Sequence, residues 1–309
     1  MGNDCVSKLD EACVYADLAR LEHWRWLTRP FKLGHQQPLM AQLGASVPTL
    51  RKGRGMTFSE VRPYQAGDEV RHIDWKVTAR TEKPHTKLFS EEHERPVFFV
   101  VEQSENLFFG SERCFKSVLA LDLLAILGWA TLNQSDRVGG LVFSAEQQHY
   151  SEPKRQAPTL LQLLQQALSL HHGLAHPAQR QGHWTGALQN VRQRARPGSK
   201  LIIIGDLLAL QSEDIALLQQ LRAHCDLLAL HLQDRLEYTL PSKGDWTFSD
   251  GEHQHTLRAE HDQTAYQQRY QQAWLHCQHA LHGQRIPLLA FSTDESPLSA
   301  CIKHGLLRR

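Results

Sequence analysis

Residues 97–101 read Val-Phe-Phe-Val-Val, and residues 114–132, which follow a polar turn, read CFKSVLALDLLAILGWATL. The first segment is a continuous run of β-forming apolar residues, which is typical of a strand buried on both faces of a sheet. The second segment is apolar and has the length of a helix that covers such a sheet. A buried strand followed by a buried helix predicts a parallel α/β unit.

The same alternation continues to the end of the chain. Apolar patterning predicts strands at 138–143, 201–204, 226–232 and 286–291, and helices at 159–170, 185–195, 214–224, 262–282 and 297–304. We therefore expect an α/β fold with an open, mostly parallel sheet and helices on both faces. Residues 246–257, with Asp250-Gly251 at their centre, predict an inserted β-hairpin.

The first 95 residues follow a different pattern. Residues 9–28 have apolar side chains at three- and four-residue intervals, which predicts a helix that ends before Pro30. Glycine and proline then interrupt residues 31–96 repeatedly, which indicates loops and short strands. The sequence thus predicts two domains: a leading helix with a small irregular or β module at 1–95, and the α/β domain at 96–309.

The overall charge excludes binding to polyanions that is driven by the net charge of the whole chain. The 309 residues include 34 Lys and Arg against 33 Asp and Glu, a net charge of +1, so the chain as a whole does not attract nucleic acid or an anionic membrane. Nucleic-acid binding would have to use local clusters such as Arg51, Lys52, Arg54 and residues 192–196. We expect no nucleic-acid partner.

Three features favour the cytoplasm. The apolar stretch around residues 117–132 is shorter than the ~20 residues of a membrane span and contains Asp122, so we expect a buried helix and no membrane insertion. The six cysteines are scattered, without a Cys-x-x-Cys pair, and the polar start Met-Gly-Asn-Asp does not resemble a secretory leader. Both observations are typical of a cytoplasmic protein with reduced thiols.

Ligands of open α/β sheets bind at the carboxyl ends of the strands. Two oxygen-rich segments lie there: Glu102-Gln103-Ser104-Glu105-Asn106 after the first strand, and Gly205-Asp206 after the strand at 201–204. The sequence has no G-x-x-x-x-G-K-[ST], G-x-S-x-G or H-E-x-x-H motif, and no G-x-G-x-x-G after a strand. These absences disfavour an enzyme of the corresponding classes.

Histidine is abundant, which raises the question of zinc. His276, His279 and His282 recur every third residue on one predicted helix, and His171, His172 and His176 lie close together before Pro177. Ligands at three-residue spacing turn by ~60° per step around a helix, whereas zinc requires three or four that converge. A solvated face rich in Gln and His is the favoured interpretation, with a zinc site as the alternative.

The longest motif spans residues 51–80, RKGRGMTFSEVRPYQAGDEVRHIDWKVTAR. It has a glycine-rich turn, then R-x-Y-x-x-G-D, then R-x-I-D-W and A-R, and it closely resembles the hallmark of the bacterial family known as domain of unknown function 58. The similarity continues at Glu91-Glu92, Phe109-Gly110, Phe115-Lys116, 136–139, Asp234, Glu237 and Leu240-Pro241. It covers most of the chain from about residue 50 onward.

The resemblance implies a von Willebrand factor A-like domain, in which a metal-ion-dependent adhesion site is common. Such a site uses D-x-S-x-S after the first strand, a Thr from a second loop and an Asp from a third. Hydroxyl and carboxylate oxygens are hard ligands that suit octahedral Mg²⁺ or Mn²⁺. The resemblance places these metal ligands at Glu102, Ser104, Asn106, Thr185 and Asp206.

The first motif departs from the pattern at two positions. Glu102 replaces the leading Asp and Asn106 replaces the second Ser, and the longer Glu side chain displaces a carboxylate from an ion that demands distances near ~2.1 Å. Two interpretations remain open: a retained Mg²⁺ or Mn²⁺ site, or a degenerate site in which Glu102 and Asn106 form hydrogen bonds. Thr185 equally fits the N-cap of the helix that begins at Gly186.

The charged residues of the 51–80 motif allow two roles. Arginine–carboxylate pairs can pin loops that have little regular structure. Alternatively, the segment is a partner-docking face with Tyr64 and Trp75 as anchors, since aromatic and Arg side chains are enriched at interface hot spots. The candidate partner-binding residues are Arg62, Tyr64, Asp68, Arg71, Asp74, Trp75 and Arg80.

These observations predict a non-enzymatic, cytoplasmic adaptor that binds other proteins. The family resemblance implies a MoxR-type AAA+ ATPase as partner, with a role in maturing or remodelling a client protein. The alternative is a divalent-metal-dependent hydrolase in which Glu102 and Asp206 hold a cation that activates water.

Overall fold

The computed structural model describes residues 11–34, 56–65, 70, 73–91, 96–174, 183–241, 243–249 and 254–309. The chain forms two compact units, one from Met1–Ser46 and Arg95–Arg309 and the other from Val47–Glu94. The boundary near residue 95 agrees with the sequence. The leading helix, however, belongs with the sheet unit and not with the small module, because it packs on a helix of that unit.

The regular elements alternate along the sheet unit. The described helices are α1 (Glu11–Val14), α2 (Leu18–Thr28), α3 (Trp75–Thr81), α4 (Lys116–Asn133), α5 (Ala157–Gly173), α6 (His183–Arg194), α7 (Ser212–Arg222), α8 (Arg235–Tyr238), α9 (Ala259–Gly283) and α10 (Pro297–Lys303). The described strands are β1 (Lys32–Leu33), β2 (Met56–Pro63), β3 (His85–Glu91), β4 (Val97–Glu102), β5 (Val138–Phe143), β6 (Gln148–Lys154), β7 (Lys200–Gly205), β8 (Asp226–Gln233), β9 (Asp245–Ser249), β10 (Gln254–Arg258), β11 (Leu288–Ser292) and β12 (Leu307–Arg308).

The main sheet has six strands in the order β11-β8-β7-β4-β5-β6. The first five strands of that order are parallel to one another, and β6 is antiparallel to β5. This topology confirms the expected α/β class with an open, mostly parallel sheet. The strand β4 lies in the interior of the sheet, and every residue in it is buried, as the apolar run at 97–101 predicts.

Alternate residues of the central strand supply two separate hydrophobic cores. Phe99 and Val101 join the core formed with α2, α4, α5 and α10, whereas Phe98 and Val100 join the core formed with α6, α7 and α9. Helices therefore cover both faces of the sheet. Strands β9 and β10 pair as the expected hairpin, and its turn at Asp250-Gly251 lies outside the described residues.

A buried charge fixes the leading helix. Asp122 has no exposed surface and lies within apolar α4. Its carboxylate accepts hydrogen bonds from Arg20 Nε at 3.0 Å, Arg20 Nη2 at 2.7 Å and Trp24 Nε1 at 2.7 Å. The predicted single helix at 9–28 is interrupted before Leu18, because Asp17 adopts an extended backbone and caps α2 by accepting a hydrogen bond from Arg20 N.

Helix α4 is the one described helix with the length and apolarity to cross a membrane. Within the protein, 89% of this 18-residue helix is buried, against the sheet and neighbouring helices. It has two charged residues: Asp122, which pairs with Arg20, and Lys116 at its first position. A core helix of this kind passes the same length and composition test as a membrane span.

We expect Asp122→Ala to lower the free energy of unfolding by about 3 kcal/mol, because Arg20 and Trp24 then lose their buried acceptor. Denaturant unfolding followed by circular dichroism measures this loss. The matched control is Glu152→Ala, which removes the exposed partner of Arg196 (N–O distance 3.2 Å) and should cost less than about 1 kcal/mol. Equal losses in the two variants would contradict this account of α2.

Candidate functional site

Charged side chains converge at the carboxyl edge of the sheet. Glu102 ends β4, Asp206 follows β7, His231 lies near the end of β8, Glu237 belongs to α8, and Lys116 is the first residue of α4. We call these five residues the Lys116 network. The parallel order of β8, β7 and β4 brings their carboxyl ends side by side, which is why residues distant in sequence meet here.

Lys116 forms the centre of the network. Its side chain has no exposed surface, and Nζ lies 3.0 Å from Asp206 Oδ2 and 2.5 Å from Glu237 Oε1. Burial by itself lowers the pKa of a lysine, but the charges of Asp206 and Glu237 outweigh it and raise the pKa of Lys116 above its usual value. Lys116 is therefore an ammonium ion at neutral pH.

The two carboxyl partners of Lys116 are held by helix and turn caps. Asp206 Oδ1 accepts a hydrogen bond from Leu208 N at 3.1 Å, and Glu237 Oε2 accepts one from Asp234 N at 2.8 Å. Burial by itself raises the pKa of Asp206. Other interactions outweigh burial and lower this pKa, and the charge of the nearby Lys116 ammonium is the largest of them. For Glu237, burial and the charge of Asp206 raise the pKa against the opposing pull of Lys116.

Glu102 is fully buried beside this ion pair. Its Oε1 accepts a hydrogen bond from Ser104 Oγ at 2.6 Å, and its Oε2 accepts one from Asp206 N at 2.7 Å. Burial, followed by the charge of Asp206, raises the pKa of Glu102 to about 8. Glu102 consequently holds its proton to a higher pH than an unperturbed glutamate does. A Cβ at Gly205 would lie 2.4 Å from Glu102 Oε2, so this close approach requires glycine.

His231 closes the network on the β8 side. Its Nδ1 accepts a hydrogen bond from Leu207 N at 3.2 Å and lies 3.7 Å from Asp206 Oδ1. Burial lowers the pKa of His231 to about 4, so the imidazole is neutral at pH 7. The ring lies 5.3 Å from the Trp274 ring, centroid to centroid, which connects the network to α9.

A second buried carboxylate ties the surrounding loops together. Asp234 accepts hydrogen bonds from Ser111 N at 2.9 Å, Ser111 Oγ at 2.6 Å, Leu236 N at 2.9 Å and the Thr293 hydroxyl. These donors come from the segments after β4, β8 and β11. Asp234 thus fixes the start of α8 and, through it, the position of Glu237.

The predicted metal ligands are only partly brought together. Glu102, Ser104 and Asp206 meet, as described above. Thr185 Oγ1 instead donates a hydrogen bond to Asp214 Oδ1 at 2.6 Å, and Asn106 lies in a partly exposed 3-10 turn. Among the described residues no group of three or more His, Cys, Asp or Glu side chains is arranged to hold a metal ion.

These residues do not fit Mg²⁺ or Mn²⁺. Asp206 matches the third-loop Asp of the adhesion-site pattern, but it already contacts the Lys116 ammonium. That ammonium would strongly repel a divalent cation placed beside it. Burial also disfavours the ionised form of Glu102, which is the form that binds a metal. We therefore assign no chemistry to a metal at this edge.

Sequence reasoning overlooked the roles of Lys116, Asp234 and Glu237, although all three lie in segments that carry the family resemblance. One local signal was available: Asp234 and Glu237 have the three-residue spacing of a capping box, which predicts a helix start. No local sequence pattern predicts that Lys116 is a buried cation, because a lysine at the first position of a helix is ordinarily solvated.

The histidine clusters have separate surroundings. His276 and His279 are exposed on α9, the solvated arrangement that the sequence favours. His171 is buried, and its Nε2 accepts a hydrogen bond from Ala16 N at 3.2 Å, while His172 Nε2 lies 3.0 Å from Ala16 O. His176 lies outside the described residues.

In the module formed by Val47–Glu94, both the pinning role and the docking role of the 51–80 segment stay predictions. Asp74 caps α3 by accepting hydrogen bonds from Lys76 N at 3.0 Å and Val77 N at 3.2 Å, which is a pinning role. Trp75 is 67% exposed, as a docking anchor must be. Arg80 is exposed, and Arg62 and Tyr64 are partly buried. Asp68 and Arg71 lie outside the described residues.

A sequence model of one protein family, described as "Protein of unknown function DUF58", matches residues 60–280. The chain belongs to the DUF58 family. Uncharacterized proteins of Mycobacterium tuberculosis and Mycobacterium bovis are 27% identical to this DUF58 chain over 299 residues, which cover 91% of it and 88% of each relative.

Two solved structures resemble the DUF58 chain more distantly. The conserved hypothetical protein BatB from Bacteroides thetaiotaomicron covers 68% of this chain and 95% of its own, with 10% identity and a TM-score of 0.41. An aerotolerance-related membrane protein from Bacteroides fragilis covers 69% and 98%, with 14% identity and a TM-score of 0.37. TM-scores this low do not establish a common fold, so the fold assignment rests on the topology of the sheet.

We expect Glu102→Gln to change how stability depends on pH. A carboxyl group whose folded pKa lies near 8, against 4.5 when unperturbed, holds its proton more tightly in the folded state, so its contribution to stability is lost as pH rises through that window. Between about pH 5.5 and pH 7.5, the free energy of unfolding of the wild-type protein should fall by roughly 2 kcal/mol more than that of the glutamine variant.

Denaturant unfolding of both proteins at the two pH values provides the measurement. Titrating groups outside the Lys116 network, such as His171, cancel in the difference between wild type and variant. A difference that does not change with pH would show that Glu102 is ionised in the folded protein across this range.

Proposed function

We propose that this DUF58 protein is a non-enzymatic adaptor with a von Willebrand factor A-like sheet. In this proposal it works in the cytoplasm with a MoxR-type AAA+ ATPase and helps to mature or remodel a client protein. The open parallel sheet, the polar loops at its carboxyl edge and the family membership support this function. The MoxR-type partner is taken from the association that the family resemblance implies.

A cavity beside the Lys116 network carries the proposal. It has a volume of about 420 Å³ and lies where β8, α8 and α9 meet. Its aromatic and amide lining suits a protein partner, since Tyr and Trp combine a large apolar area with a polar group and dominate interface hot spots. The lining residues are Gln233, Tyr238, Thr239, Gln267, Tyr270, Gln271, Trp274 and Ala290.

The cavity wall is held in place before a partner arrives. Two of the lining residues are joined by the hydrogen bond that the Tyr270 hydroxyl donates to Gln233 Oε1 at 2.7 Å. The rings of Tyr238 and Tyr270 lie 5.8 Å apart, centroid to centroid. A wall that is already ordered loses less conformational entropy on binding, which favours recognition of a partner.

The state of the charged groups also favours binding over catalysis. A general acid or base must reach a substrate proton, whereas Glu102 and Lys116 have no exposed side-chain surface and are bonded to groups of the protein. Asp206 and Glu237 are committed to Lys116. The hydrolase alternative requires Glu102 and Asp206 to hold a cation, and neither carboxyl group is free to do so.

The exposed Trp75 on the module Val47–Glu94 provides a second candidate docking residue. Its neighbour Asp74 caps α3 and so sets the local backbone that presents it. An adaptor between an ATPase and a client requires two binding faces, and the cavity and Trp75 are candidates for these two.

Affinity capture from the source cells under ATP-trapping conditions tests the adaptor role. We expect mass spectrometry to identify a MoxR-type AAA+ ATPase bound to wild-type protein. Tyr238→Ala and Trp274→Ala each remove an aromatic ring from the cavity, and Trp75→Ala removes the exposed ring of the module. Each substitution should weaken binding of either the ATPase or the client protein by roughly tenfold to a hundredfold, as is typical of a hot spot.

The matched control is Trp26→Ala, which truncates a tryptophan that is 66% exposed on α2, a helix of the opposite face of the sheet. It should leave capture unchanged. Failure of folded wild-type protein to capture any AAA+ ATPase would contradict the proposed partner. Equal capture by all the variants would exclude these two surfaces as docking faces.

A further inference from the structure

The Lys116 network contains its own cation. In the wild-type fold, the Lys116 ammonium lies between two carboxyl groups that come from different loops, at 3.0 Å from Asp206 Oδ2 and 2.5 Å from Glu237 Oε1. The Asp206 and Glu237 side chains are only 16% and 25% exposed, and they would repel one another if both were ionised without a cation between them. The ammonium therefore supplies the positive charge that allows the two loops to meet.

This cation cannot readily leave. The Lys116 side chain is completely buried, and the residue is the first of α4, whose apolar side chains form one of the two cores. Moving the ammonium out would leave the partly buried Asp206 and Glu237 without their counter-ion. A tethered cation is also present at a high effective concentration, against which a free ion in solution has to compete.

We propose that Lys116 permanently takes the place of a divalent metal at this edge, and that removing its ammonium creates a divalent-cation site between Asp206 and Glu237. Two carboxylates with water as the remaining ligands are a sufficient donor set for Mg²⁺ or Mn²⁺. Truncation of the lysine side chain provides the space for that water. The protein's partner recognition consequently has no divalent-cation requirement.

That last consequence rests on the proposed function, because it concerns the same edge of the sheet. The claim that Lys116 occupies the cation position does not depend on the proposed function, and it can be tested without any partner. Failure to capture an ATPase would thus leave the cation proposal standing, and failure of the cation proposal would leave the adaptor role standing.

A titration with Mn²⁺ tests the proposal, with electron paramagnetic resonance reporting the free ion. Wild-type protein should leave the signal of the free ion unchanged, and its thermal unfolding midpoint should not respond to Mn²⁺ or to EDTA. Lys116→Ala should bind one Mn²⁺ per chain, and Mn²⁺ should raise its unfolding midpoint. The double variant Lys116→Ala with Asp206→Asn should lose this binding.

Lys303→Ala is the matched control, because Lys303 also pairs with a carboxylate, Glu295 at 3.2 Å, but is 68% exposed. It should bind no Mn²⁺. If Lys116→Ala does not fold, Lys116→Ser replaces it in the titration, because its short side chain leaves the same space for water and its hydroxyl can hydrogen-bond at the start of α4.

Two results would overturn the proposal. One is stoichiometric Mn²⁺ binding by wild-type protein that Asp206→Asn abolishes, because Lys116 would then not occupy the cation position. The other is a folded Lys116→Ala or Lys116→Ser protein that binds no Mn²⁺, because the carboxyl groups would then form no cation site. The wild-type titration decides the first point even if neither lysine variant folds.

Discussion

The carboxyl edge of this sheet depends on one interaction, the buried ion pair of Lys116 with Asp206 and Glu237. It joins the first turn of α4 to the loop after β7 and to α8. A fully buried ammonium without its carboxylate partners would cost several kcal/mol, so the three segments are stable in this arrangement only together. The positions of the neighbouring side chains follow from this constraint.

The ion pair orders its surroundings on both sides. Towards β4, Asp206 donates a hydrogen bond from its backbone N–H to Glu102, whose own burial raises its pKa. Towards β8, α8 carries Glu237 inward and places Tyr238 in the wall of the cavity. The network and the proposed docking cavity are therefore parts of one structure, and a change in one should affect the other.

Patterning predicted the fold well because burial determines it. The central strands and the helices on both faces were expected from apolar runs and three- to four-residue spacing. Strand β6 was not expected, because the sequence Gln-His-Tyr-Ser-Glu-Pro-Lys at 148–154 belongs to an edge strand and has few buried positions. The break before α2 was also missed, since it depends on a single cap by Asp17.

The candidate site was less predictable because it depends on contacts between distant segments. The sequence located Glu102 and Asp206 at strand ends, and the departure from the adhesion-site pattern at Glu102 was visible there. Nothing local distinguishes Lys116 from a solvated lysine at a helix start. Its partners lie 90 and 121 positions away along the chain, and only the packed sheet brings them within hydrogen-bond distance.

The most direct test of the central claim is a proton-detected ¹H–¹⁵N NMR spectrum of the lysine ammonium groups. A buried ammonium that donates to two carboxyl groups exchanges its protons slowly with water. We predict one slowly exchanging ammonium signal at neutral pH that disappears in Lys116→Met and remains in Lys303→Ala. If no slowly exchanging signal depends on Lys116, its ammonium is solvated and does not serve as the cation of this edge.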